Sequence, residues 1–139
     1  VKPLSALLVL TLPVLAQESS NSAVFDWSKL AVAKTATGER RAIVDRATPT
    51  MTRFESHVTT LEAGLAPHAP HRHPDEEIVI VKDGTLEVTI NGKSQRVGEG
   101  SMFLFASNDL HGMKNVGSGR ATYYVIRVVT PATPAAKKK

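Results

Sequence analysis

The run HAPHRHPDEEIVIVKDG, residues 68–84, places three of the chain's five histidines within six residues and follows them with three acids. Imidazoles and carboxylates are ligands for divalent transition metals, and they also carry protons near neutral pH. His71 and His73 are two residues apart, so in extended backbone both project from one face, which suits chelation. Glu77 lies four beyond His73 and opens the alternating run EEIVIV. In an extended segment it shares that parity and brings a carboxylate to the imidazoles, while Glu76 points away. Far along the chain, His111 follows an Asn108-Asp109 turn, with Met113 and Asn115 at the same two-residue parity, and could close the site from another strand. Three nitrogens and one oxygen would hold a cation and leave positions open for water or substrate.

The elements that must carry these residues read as strands. FESHVTTL, EEIVIV, TLEVTI, KSQRV, SMFLFA and TYYVIRVV are short, rich in β-branched or aromatic residues and separated by turn signals. Asn91-Gly92 predicts a type I′ hairpin between TLEVTI and KSQRV, while Lys82-Asp83-Gly84 and Gly98-Glu99-Gly100 predict further tight turns. Strands at this spacing predict an all-β sandwich or barrel. DWSKLAVA, residues 26–33, has room for one helical turn or an edge strand, and no internal repeat is visible.

Length and composition set the outer limits. A chain of 139 residues, 42% apolar and 22% charged, predicts one soluble domain with one core. The net charge of +4 disappears once Lys2 and the three terminal lysines are set aside, leaving 13 basic against 13 acidic residues. Outside that tail only Arg40 and Arg41 form an adjacent basic pair, so no nucleic-acid surface is expected. With no cysteine, thiolate metal chemistry and disulfides are excluded, and metal ligands must be N or O donors.

Residues 1–16, VKPLSALLVLTLPVLA, carry one cation, an apolar run and a small-x-small ending, the order of a secretory signal peptide. The expectation is cleavage before Gln17 and export to the periplasm or exterior, with no stable membrane span left afterwards; an uncleaved anchor is the alternative. Residues 17–23 then read as a linker, 24–130 as the folded domain and 131–139 as a disordered basic tail.

At this point the motifs carry a family resemblance. Gly64 to Gly84 resembles the first cupin motif, with His71 and His73 separated by one residue, Glu77 after three more, and Gly84 after a further six. Gly98 to Asn115 is similar to the second, with Gly100 ahead of His111 and Asn115 beyond it. Two departures stand out: six residues rather than the usual five separate Gly64 from His71, and Ser107 lies near the place of the second motif's proline. The resemblance implies a cupin jelly-roll β-barrel (a double-stranded β-helix). It also implies one divalent transition metal (Fe, Mn, Ni, Cu or Zn) on the residues matching the family's ligands, His71, His73, Glu77 and His111, and pairing of barrels into a homodimer. The segment VFDWSKLAV, residues 24–32, carries apolar side chains suited to docking on its own barrel or on a partner's.

The remaining conspicuous residues divide between site and scaffold. His57 on its strand is either a cavity-facing proton shuttle or a half-buried structural histidine, and Glu77 could act as a base if it leaves the metal. His68, between two prolines, is expected on the surface, with an outer base as the alternative, and Arg72 is expected to point outward. Asn115 is expected to hold a turn. Met102, Phe103, Phe105 and Met113 are expected in the core, Trp27 as an anchor, and Tyr123-Tyr124 split between interior and exterior. A metal with open positions can bind dioxygen together with an organic ligand, polarise a carbonyl or hold an enediolate. The expectation is therefore a small metalloenzyme acting on an oxygen-bearing substrate, oxygenase-like first. A non-catalytic module binding a carbohydrate or acid, and an isomerase or lyase, are the alternatives.

Overall fold

The computed structural model describes residues 22–137. The expected leader and most of the expected linker lie outside the described residues. Among the described residues, nine strands follow one 3-10 turn, Trp27–Lys29: β1 (Ala33–Thr35), β2 (Gly38–Arg46), β3 (Arg53–Leu61), β4 (Glu76–Asp83), β5 (Leu86–Ile90), β6 (Lys93–Val97), β7 (Met102–Phe105), β8 (His111–Asn115) and β9 (Ala121–Val129). They form a six-stranded sheet in the order β1-β2-β3-β9-β4-β7 and a three-stranded sheet in the order β6-β5-β8, with antiparallel pairing throughout.

Alternation sets which side chains meet between the sheets. In β4 the buried residues are Glu77, Val79 and Val81, and Glu76 is exposed, as its parity predicts. Register aligns Glu55 with Arg127, His57 with Val125, Thr59 with Tyr123 and Leu61 with Ala121, so β3 and β9 share one inward row. The core joins Leu61, Val79, Val81, Phe105, Ala121, Tyr123 and Val125 of the large sheet to Leu86, Val88 and Met113 of the small one.

The turns show what their residues require. Asn91 and Gly92 have φ of 48° and 83°, as a two-residue type I′ loop needs, and join β5 to β6. Asp83-Gly84 is instead a corner that passes the chain from one sheet to the other, since β4 and β5 do not pair. Gly84 has φ of 87°, and a Cβ there would lie 2.7 Å from the Cα and Cβ of Ala121, so both conformation and space demand glycine.

Met102 corrects an expectation. It is 68% exposed on β7, as is Leu104 at 52%, whereas Phe105 is fully buried and Phe103 half-buried. An apolar run of four on an edge strand puts every second residue outside. Tyr123 and Tyr124 split as expected: Tyr123 is buried, and Tyr124 faces the outer surface, where Trp27 meets it at 6.3 Å between ring centroids. Arg41 and Lys82 flank the Trp27 ring at 4.8 and 5.0 Å, and Arg41 donates to the Leu30 carbonyl. The amino-terminal segment thus supplies both a helical turn and an edge strand, docked on its own barrel. At the other end, the Lys137 N–H donates to Asn108 Oδ1 at 2.8 Å and Asn108 Nδ2 donates to the Ala135 carbonyl, which gives the described part of the expected tail a bonded course.

Candidate metal centre

The three histidines reach one point by three short routes. His71 forms a single β-bridge with His111, exchanging two backbone hydrogen bonds of 2.9 and 3.0 Å, so the loop before β4 is fastened to the first residue of β8. The Asn108 N–H donates to the His73 carbonyl at 2.8 Å, fixing the other side of that loop. Asn108 has φ of 63°, a conformation asparagine tolerates better than most residues. The ligating atoms of His71, His73 and His111 all lie within 4.8 Å of one another. The His111 ring stacks on Phe105 at 4.0 Å with 13° between planes, which locks its orientation.

Hydrogen bonds then decide which nitrogens are free. Nδ1 of His111 meets the Asp109 carbonyl at 2.9 Å, and Nδ1 of His73 meets the Asp75 carbonyl at 2.8 Å. A carbonyl only accepts, so both Nδ1 atoms carry hydrogen; this leaves Nε2 of His111 toward the cluster, while Nε2 of His73 faces the Glu77 carboxylate. Nε2 of His111 and Nδ1 of His71 are buried without a hydrogen-bond partner among the described residues. Buried polar atoms rarely go unsatisfied, and two orphaned ring nitrogens in one cluster are what a cation would satisfy. The residues therefore fit a divalent metal.

Glu77 sits beside this cluster. Its Oε2 lies 3.2 Å from Nε2 of His73 and 4.0 Å from Nε of Arg127. Asp75, unremarked in the sequence, is buried and receives two hydrogen bonds from Arg127, at 2.7 and 3.0 Å. Its signal was present in β9: Arg127 is a lone charge on the inward row of Ala121, Tyr123 and Val125. Burial works against the Asp75 carboxylate, but the Arg127 guanidinium outweighs it and holds its pKa below the usual range. Burial, reinforced by His68, His111 and His73, pushes His71 down to about 4, and burial also lowers His111. The hydrogen bond to Glu77 raises His73. At neutral pH His71 and His111 are thus neutral imidazoles, ready to ligate without first losing a proton.

The cluster opens onto a cavity of about 360 Å³ whose walls include His57, His68, His71, Glu77, Arg40 and Arg127. His57 faces this cavity, with its Nδ1 2.7 Å from Oε1 of buried Glu55, which also accepts from Arg40 at 2.9 Å. His68 is exposed, edge-on to His71 at 4.2 Å between centroids. Arg72 is exposed but donates to the Asn108 carbonyl at 2.8 Å. Asn115 is fully buried and holds its turn through the Leu61 and Gly119 carbonyls and the Gly117 N–H, a scaffold role.

Comparisons with known proteins agree with this geometry. The family model of the cupin domain matches residues 57–127, more than half of the chain. Among solved structures, an RmlC-like cupin from Shewanella frigidimarina is 13% identical with a TM-score of 0.64, over 80% of this chain and 95% of that one. A predicted oxalate decarboxylase from Thermotoga maritima is 16% identical with a TM-score of 0.64, over 77% and 99%. A polyketide cyclase from Streptomyces resistomycificus is 14% identical with a TM-score of 0.64, over 86% and 88%. At these identities the likeness carries the jelly-roll fold alone. No curated protein matches in sequence. With its two antiparallel sheets, the ligating atoms of its three clustered histidines within 4.8 Å of one another and a family match over residues 57–127, the chain belongs to the cupin family.

Proposed function

We propose that this cupin is a small metalloenzyme that holds one divalent transition metal on His71, His73, His111 and Glu77 and acts on a small oxygen-bearing substrate, with an oxygenase-like reaction as the leading class. The observation that carries this reading is the pair of orphaned, buried nitrogens on His71 and His111, in a three-histidine cluster that opens onto a ligand-sized cavity. A metal there would supply Lewis-acid polarisation and a site for dioxygen or a chelating oxygen ligand. The chain's own residues do the rest. Arg127 keeps Asp75 ionised, and the Asp75 carbonyl fixes the His73 ring. Arg40 and Arg127 line the cavity, each already paired with a carboxylate (Glu55 and Asp75), so they offer hydrogen-bond donors to an oxygen-bearing substrate rather than net positive charge, and Phe105 packs against the His111 ring. A catalytic reading is favoured over simple binding by His57, a titratable group in the cavity besides the proposed ligands.

Elemental analysis of protein purified from its natural compartment, followed by oxygen-uptake screening with small hydroxy and keto acids, tests the reading. Iron, copper, nickel or manganese with uptake supports it. Zinc without uptake favours isomerase or lyase chemistry or simple binding, and absence of metal refutes it. We further propose export, supported by the cation, apolar run and small-residue ending of residues 1–16, and checked by the mass of the secreted product. Homodimer formation is proposed on the exposed Met102 and Leu104 of edge strand β7 and on Val24, Phe25 and Val32, which stay exposed although their segment docks on its own barrel, and light scattering decides it.

A further inference from the structure

The cavity has a second polar centre on the wall formed by β3. Glu55 and His57 are two apart on the inward row, Nδ1 of His57 lies 2.7 Å from Oε1 of Glu55, and that carboxylate is 4% exposed. A buried carboxylate facing an imidazole nitrogen at this distance selects the tautomer with hydrogen on Nδ1, leaving Nε2 as a bare lone pair. Arg40 donates to the same Oε1 at 2.9 Å, while Oε2 is buried with no hydrogen-bond partner among the described residues. Glu55 therefore directs its charge at two groups, both of which line the cavity that His71 and Glu77 also line. Burial alone would favour protonating Glu55; its hydrogen bond to His57, the charge of that ring when protonated, and the charges of Arg40 and Arg127 reverse that and lower its pKa. A purely structural histidine on a strand needs no buried anion behind it and no open face in front.

We propose that Glu55 and His57 form a carboxylate–imidazole base aimed into the cavity, which moves a proton to and from a ligand held at the three-histidine cluster. His57 is the catalytic residue and Glu55 its positioning residue. Nε2 of His57 takes the proton from an O–H or C–H of the ligand, the imidazolium keeps its Nδ1 proton on Glu55, and Nε2 then returns the proton to the product or to water. The side chain of His57 is 16% exposed, enough for a cavity ligand to reach it and little enough to limit exchange with bulk water. The inference rests on the cluster being a metal site, since that is what would place a ligand opposite His57.

Two readouts on the full chain test it, neither of which needs the natural substrate. Long-range proton–nitrogen correlation spectra of the wild type, with and without zinc, should show His57 with hydrogen on Nδ1 and none on Nε2. The opposite tautomer overturns the proposal without any variant being made. Carbethoxylation by diethyl pyrocarbonate, followed residue by residue by mass spectrometry, should slow about tenfold at His57 in Glu55→Gln while His68 changes little. Glu55→Asp, which keeps the charge, should restore part of the rate. An unchanged His57 rate in folded Glu55→Gln, or no difference between the Gln and Asp variants, overturns it. Zinc affinity, measured by chelator competition on the wild type, separates the two failures. A protein that binds zinc with an inert His57 loses only the dyad, whereas a protein with a reactive His57 and no zinc affinity loses the metal reading on which the proposal depends.

Discussion

The two ends of the interior are built on the same strands and behave oppositely. At one end Leu61, Val79, Val81, Leu86 and Ala121 pack as a dry core, each about 1% exposed or less. At the other end the same inward rows of β3, β4 and β9 present Glu55, His57, Glu77 and Arg127. Tyr123 lies between, paired in register with Thr59, its phenol pushed up by burial. Alternation thus decides only that a side chain faces inward. What changes along each row is whether the residue is satisfied by packing or by a charged partner. The dry end should govern folding, and the polar end should govern what the protein binds.

That division can be broken or sharpened by experiment. The largest effect is expected at the polar end: zinc at a thousandfold excess over its dissociation constant should stabilise the wild type by about 4 kcal/mol, seen as a raised midpoint of thermal unfolding. In His73→Ala that gain should vanish, and chelator should remove it from the wild type. Leu61→Ala at the dry end should cost about 3 kcal/mol, because a fully buried side chain leaves a cavity. Measured by urea unfolding, that loss should be the same with and without zinc; a loss that depends on metal would merge the two ends into one unit.

The contrast also explains what the sequence could and could not reveal. His71, His73, Glu77 and His111 stand out because His-x-His and an acid at matching parity break an otherwise apolar alternation. Glu55, Asp75 and Arg40 did not, since a charge on a strand looks solvated until its partner is known. Glu55 pairs with His57 two residues away and with Arg40 15 away, and Asp75 pairs with Arg127 52 away. The all-β reading followed from local alternation and the tight turn at Lys82-Asp83-Gly84 from its residues, but a tight turn does not state which sheet its next strand joins, and this one is a corner between sheets. Met102 was misplaced for a related reason: SMFLFA is uniformly apolar, so nothing local tells its outward parity.

A smaller effect lies in the pH dependence of the metal-free protein. His71 titrates at about 4 in the folded chain, against an ordinary value of 6.5. Between those values the unfolded chain binds a proton there that the folded one does not, so stability from this residue falls as pH drops from 6.5 to 4. Below that window both states are protonated and the slope ends. Urea midpoints at pH 7, 5.5 and 4.5 should therefore fall less steeply in His71→Asn than in the wild type. Least of all, Met102→Thr should change stability by no more than about 0.5 kcal/mol, since its side chain already meets solvent. A clear shift in its mass by light scattering would instead mark that face as the proposed dimer contact.

The central claim is that the polar end is a metal centre. A crystal structure of the metal-soaked full chain, with anomalous scattering measured at the absorption edge of the metal, tests it most directly. The expected result is one cation bonded to a ring nitrogen from each of His71, His73 and His111 at about 2.0–2.2 Å, with a Glu77 oxygen drawn from His73 and Arg127 to complete the set. A cation held elsewhere, or three histidines that remain within 4.8 Å of one another and bind none at saturating metal, would contradict it.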